Sequence, residues 1–121
     1  MRELKFRAFQ KKQPHQKVAL GYVYSKDYDS LEAFFHDNEG EDIDQFIGLY
    51  DFHGQGAYFG DLVKTKIGQF EYIRPIYALE NGCPVIDLPT IDSNMDKPMF
   101  LFTLNCHDIV GNIRENLDLL V

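Results

Sequence analysis

Turn signals recur so closely along this chain that most of the segments between them are brief. Gly21, Gly40, Gly48, Gly54, Gly56, Gly60, Gly68, the Asn81-Gly82 pair and Gly111 mark bends, and five prolines add further breaks. Ten Phe and seven Tyr fill the short segments and favour strands over long helices. Many short strands with closely spaced turns predict a small barrel or sandwich. At 45% hydrophobic and 14% aromatic residues the chain is too apolar to be disordered. Its 121 residues suit one domain over residues 1–121, large enough to bury a core without disulfides or metals.

Residues 3–9 alternate, with Leu4, Phe6 and Ala8 on one side and Lys5, Arg7 and Phe9 on the other, which predicts a strand with one wet face. Residues 11–16, with Pro14, read as a turn, and 18–24 as a second strand interrupted at Gly21. One short helix is predicted next. Asp29 or Ser30 caps it, Glu32 stands three residues after Asp29 as in a capping box, and Leu31, Phe34 and Phe35 share a face. Asn38 and Gly40 end it, and the acidic stretch 39–44 reads as a loop. Strands are expected at 45–50, 62–66 and 69–73. Asn81-Gly82 predicts a hairpin joining 76–79 to 83–86. Pro75 suggests a sheet edge or a break, and residues 87–98, with Pro89 and Pro98, read as an exposed loop. Final strands are expected at 100–104 and 109–113, and a helical turn at 116–120.

The net charge of −7 is unevenly distributed. Residues 1–26 hold seven basic residues against Glu3 alone, a net of +6. Residues 27–44 hold eight acids and no Lys or Arg, a net of −8. The acidic whole is repelled by phosphate backbones at long range, which disfavours nucleic acid as a partner. The two segments are expected on solvated faces, or against each other. The apolar stretches are too short to span a bilayer, and Met1 is followed by charge rather than an apolar run. A cytoplasmic location with reduced thiols at Cys83 and Cys106 is therefore expected.

Candidate chemistry is sparse. Residues 54–60 hold glycines in a near-dinucleotide pattern, but the third comes one position late and a strand is expected to follow, so a phosphate would lack a helix N-terminus. Gly60-Asp61 reads as a tight turn whose carboxylate accepts backbone amides. Asp51 and His53 are two apart in a glycine-rich turn. Neither they nor His15, His36 and His107 show a zinc-ligand spacing, and Cys106-His107 are adjacent, a poor arrangement for one metal. No catalytic, cofactor or metal residues are assigned. Asn112 and Asn116 can bond local backbone and cap the C-terminal turn. Tyr22 and Tyr24 share a strand face, and with Lys17 and Lys26 they form a candidate interaction surface, read as an aromatic-basic platform for single strands, as a core edge or as a protein contact.

Three blocks carry a family resemblance. The N-terminus reads Arg2-Glu3-Leu4-Lys5-Phe6-Arg7-Ala8-Phe9. The centre reads Phe46-Ile47-Gly48-Leu49-Tyr50-Asp51, then Gly54, then Gly60-Asp61-Leu62-Val63. The C-terminus reads Ile109-Val110-Gly111-Asn112-Ile113-Arg114-Glu115-Asn116, ending Leu119-Leu120. In this order the blocks resemble the YopX-like proteins of bacteriophages and prophages of Gram-positive bacteria. Phe9 stands where the family has Trp, Phe59 where it has an acid, and Leu117 where it has Pro. The resemblance implies a mostly β fold, with an SH3-like small barrel core, added strands and one short helix. It implies no activity. The expectation is a non-enzymatic protein-interaction module of a bacterial host cell, acting on a host or phage protein or as a homo-oligomer. The alternative is a nucleic-acid accessory factor or an acidic mimic of nucleic acid. No cofactor is expected.

Overall fold

The computed structural model describes residues 4–10, 21–90, 93–101 and 107–120. The chain divides into two compact units, Met1–Phe46 and Ile47–Val121. The fold is mostly β, with antiparallel ladders throughout the described pairings.

In the first unit, β1 (Phe6–Gln10) pairs on one side with β2 (Gly21–Tyr24) and on the other with the start of β3 (Asp42–Tyr50). Ala8 is fully buried on the helix side of this sheet, where the Phe6 ring meets the edge of Phe35 at 5.1 Å. A 3-10 turn, Ser25–Asp27, follows β2, and the Ser25 hydroxyl accepts the Phe6 amide at 2.9 Å. The expected helix is α1 (Leu31–Asp37). Ser30, rather than Asp29, caps it: its hydroxyl accepts the Ala33 amide at 3.0 Å. Ala33 therefore occupies the position a capping-box acid would need, and Glu32 points to solvent. Ser30→Ala is expected to lower the unfolding free energy by about 1 kcal/mol, read from a shifted urea midpoint at constant m. Of the expected helix face, Phe34 is fully buried but Phe35 is 39% exposed.

Two expectations for this unit are corrected. The acidic stretch 39–44 is not all loop, because β3 begins at Asp42, where Asp42 and Asp44 lie opposite Phe9 and Arg7. The wet face of the first strand is not wet at Arg7, which is 4% exposed because Asp44 neutralises it directly across the ladder. Residues 11–20, and with them Lys17 and the expected turn at 11–16, lie outside the described residues.

The second unit holds β4 (Gly56–Tyr58), β5 (Asp61–Ile67), β6 (Phe70–Pro75), β7 (Tyr77–Ala78), β8 (Pro84–Thr90), β9 (Ser93–Phe100) and β10 (Asp108–Asn112). Here β4 neighbours β3, and two three-stranded sheets run β10-β5-β6 and β7-β8-β9. The core collects Ile47, Ala57, Val63, Ile76, Ile86, Leu88 and Leu101. Pro75 ends β6, an edge strand of its sheet. The Asn81-Gly82 turn joins β7 to β8, with Gly82 at φ 85° and its amide on the Leu79 carbonyl at 2.8 Å. Leu117–Leu119 forms the terminal 3-10 turn, and residues 102–106, including Cys106, lie outside the described residues.

The expected loop at 87–98 is instead a hairpin of β8 and β9, and the prolines explain how. Leu101 donates to the Pro84 carbonyl at 3.1 Å, and Ile86 faces Met99 two steps along. Antiparallel ladders alternate, so residues 84, 86 and 88 bond toward β9, while 85, 87 and 89 bond toward β7. The side of β8 that Pro89 faces is the one from which β7 has already departed, since β7 reaches only Val85. By the same alternation Pro98 turns its missing donor to the outer edge of β9. Neither ring removes a ladder bond.

Candidate functional site

The central and C-terminal motif residues converge in the second unit, and they converge on backbone. Asp51 follows β3 and is 3% exposed. Its Oδ1 accepts the amides of His53 at 3.0 Å and Gln55 at 2.9 Å, closing an Asx-type turn. Its Oδ2 accepts the amide of Ile109 in β10 at 3.1 Å, and so ties the turn to a strand 58 residues away. Burial pushes the carboxyl up, but the amides of Gln55, Ile109 and His53 outweigh it and hold the pKa below the ordinary value. Gly54, at φ 82°, completes this turn with its amide on the Asp51 carbonyl.

Gly60-Asp61 forms a second node. Gly60 takes φ 93°, donates to the Ile76 carbonyl and accepts from Ile113, both at 2.9 Å. Asp61 is 2% exposed, and its Oδ2 accepts the Tyr58 amide at 2.9 Å. The motif thus holds the end of β4, the residue after β6 and the turn after β10 at one point. Asn112 pairs with Asp61 in the β10–β5 ladder. Its Oδ1 accepts the Arg114 and Glu115 amides, and its Nδ2 donates to Glu115 Oε1. Asn116 closes the loop: its Oδ1 accepts the Asn112 amide at 3.2 Å, and its own amide returns to the Asn112 carbonyl.

Gly111 is required by proximity. A Cβ there would stand 2.5 Å from Asn116 Oδ1 and 2.8 Å from Asn116 Cβ, so the clash reaches the root of that side chain. Gly111→Ala is expected to cost about 1–3 kcal/mol. Adding Asn116→Gly should recover the steric part and leave the loss of one hydrogen bond, about 1 kcal/mol, as thermal unfolding of the single and double variants would show. Gly48, by contrast, bends β3 at φ 85°.

The remaining candidates are dispersed. His53 turns outward, with Nε2 3.0 Å from Asp108 Oδ1 and its ring beside that of Phe52, centroids 3.8 Å apart. A shallow cleft of about 190 Å³ lies next to it, lined by Phe52, Lys64, Thr65, Lys66, Glu71 and Asp108. His107 is half-buried with Nδ1 unpartnered, and burial lowers its pKa. Cys83 is a free, half-buried thiol. Among the described residues, no three His, Cys, Asp or Glu side chains gather as a metal site.

In the first unit, the register of Phe9 with Tyr22 and Arg7 with Tyr24 puts both tyrosines on one face. Tyr22 is engaged there: its hydroxyl donates to Asp44 Oδ2 at 3.2 Å and its ring lies 4.2 Å from the Arg7 guanidinium. Tyr24 carries Lys26 at 5.8 Å. The buried Arg7–Asp44 pair, 3.0 Å between Nε and Oδ2, escaped the reading of the sequence. Its only trace there is that Arg7 and Asp44 sit in segments of opposite charge.

From residue 4 onward the three blocks of the resemblance are thus placed, and the family model described as YopX protein matches residues 5–121. The chain belongs to the YopX family. A search of the curated proteins finds no match. In this YopX chain Asp51, Asp61, Asn112 and Asn116, polar residues of the central and C-terminal blocks, accept amides of their own backbone. Among the described residues no helix is long and apolar enough to cross a membrane.

Proposed function

We propose that this YopX chain is a non-enzymatic protein-interaction module, acting in the cytoplasm of a phage-infected or lysogenic bacterial cell. One observation carries the reading. Asp51, Asp61, Asn112 and Asn116, polar side chains of the family-like blocks, direct their oxygens at backbone amides within hydrogen-bond distance. A carboxylate held by several amides is a poor general base, because its lone pairs are occupied and its pKa is lowered. Large apolar side chains meanwhile stand in solvent, among them Phe52 at 58% and Phe70 at 60% exposure. Phe is among the residues enriched at protein contacts.

The test is site-specific photocrosslinking. A benzophenone amino acid replacing Phe70, Phe52 or Phe35 in the native cytoplasm should give discrete protein adducts, and one replacing buried Phe34 should not. A turnover activity abolished by Asp51→Asn with the fold intact would overturn the proposal. The nucleic-acid alternative is weakened by Tyr22, whose ring and hydroxyl are both held by the Arg7–Asp44 pair.

A further inference from the structure

The exposed side of α1 joins two features: a charge stripe without Lys or Arg and a strip of exposed apolar side chains. On a helix, residues three and four apart are neighbours. Glu32, Phe35 and His36 therefore line up within α1; Glu39, just past its end, keeps its carboxylate 4.0 Å from His36 Nδ1, Asp29 immediately precedes the N-cap Ser30, and all are exposed. The His36 and Glu39 side chains are 85% and 79% exposed. Asp27 and Asp37 are exposed as well, the Asp37 carboxylate accepting the Tyr28 hydroxyl at 2.6 Å.

The apolar strip runs beside them. Phe35 stacks edge-on over Phe6, which shares its sheet face with Ala8 and hence with Ile43, the residue opposite Ala8 on β3. Phe35 and Ile43 are 39% and 36% exposed, and Leu4, two residues before Phe6, is 65% exposed. No Lys or Arg occurs from residue 27 to 44.

We propose that this face docks a lysine- and arginine-rich amphipathic segment of another protein, whose apolar side chains cover Phe35 and Ile43 while its cations meet Glu32, Glu39 and Asp29. The inference rests on the interaction-module reading and names the partner's chemistry. Charge decides between occupants. A two-fold dimer through this face would lay the acidic stripe on its own copy, and like charges face to face oppose that. Nucleic acid is repelled for the same reason. A basic segment lacking apolar residues would leave the apolar strip wet.

The experiment titrates the full-length chain at physiological salt with a synthetic lysine–leucine amphipathic helical peptide, beside a lysine–serine peptide of equal charge. The expected result is saturable one-to-one binding of the first, at least about tenfold tighter than the second. Phe35→Ser and Ile43→Ser should each weaken it severalfold. Because Phe35 also packs on Phe6, the exposed pair Glu32→Lys and Glu39→Lys provides a second probe that leaves the core untouched. It should weaken binding at least about tenfold with an unchanged circular dichroism spectrum. Equal binding of the two peptides, insensitivity to these substitutions, or self-association abolished by them would overturn the proposal. If crosslinks at Phe70 or Phe52 persist while the α1 substitutions change nothing, the module reading stands and only the assignment of this face fails.

Discussion

Asp44→Ala is expected to remove about 3–5 kcal/mol of stability, a large share of the roughly 5–15 kcal/mol available to a domain of this kind. The reason lies in what remains behind. Arg7 is 4% exposed, its Nε sits 3.0 Å from Asp44 Oδ2, and its guanidinium lies against the Tyr22 ring. Truncating Asp44 removes the carboxylate 3.0 Å from that buried cation and the acceptor of the Tyr22 hydroxyl bond. The pair itself is worth far less than the cost of breaking it, since an apolar pair of similar volume pays no desolvation penalty. The double variant Arg7→Met with Asp44→Leu should therefore be much more stable than Asp44→Ala alone. Urea unfolding of the wild type, Arg7→Met, Asp44→Leu and the double variant, with Asp44→Ala beside them, checks this, and a cycle in which Arg7→Met and Asp44→Leu simply add would contradict it.

Asp51→Asn is the second large effect. An amide side chain keeps one oxygen, whereas Asp51 presents Oδ1 to His53 and Gln55 and Oδ2 to Ile109. Whichever way the amide turns, at least one backbone N–H meets an NH2 group, at about 1–3 kcal/mol. Asp51→Ala, which removes both oxygens, should cost roughly twice as much. The pH dependence follows from the lowered carboxyl pKa. A group whose folded pKa lies below its unfolded value stabilises fully above the unfolded value, about 4. That contribution fades as pH falls through the lower folded value. Wild-type stability should thus decline in acid more steeply than that of Asp51→Asn, and the gap between them should narrow from pH 6 toward strongly acid solution. Unfolding free energies measured across that range test the sign as well as the size.

What the sequence disclosed was local. The Asn81-Gly82 turn needs a positive φ within two residues, and the Ser30 cap reaches only to Ala33, so neighbouring residues reveal both. Period-two alternation in residues 3–9 gave the strand, but the fate of Arg7 depended on Asp44, 37 positions away. The prolines misled for a related reason. Whether a proline is tolerated in a strand depends on whether a neighbour needs its amide, and neither the departure of β7 nor the outer edge of β9 is written near Pro89 or Pro98. At the motif residues, the turn chemistry of Gly60-Asp61 and of Asn112 and Asn116 was readable from residue type. The bond from Asp51 to Ile109 spans 58 residues and needed coordinates.

These findings make one physical picture of the family-like residues: they fasten separate strands by occupying backbone amides. Native-state hydrogen exchange at the amides of Tyr58 and Ile109, followed in the wild type, Asp61→Asn and Asp51→Asn, tests it most directly. The account predicts slow exchange at both amides in the wild type. It also predicts selective acceleration at Tyr58 in the first variant and at Ile109 in the second. Fast exchange in the wild type, or protection indifferent to either substitution, would contradict it.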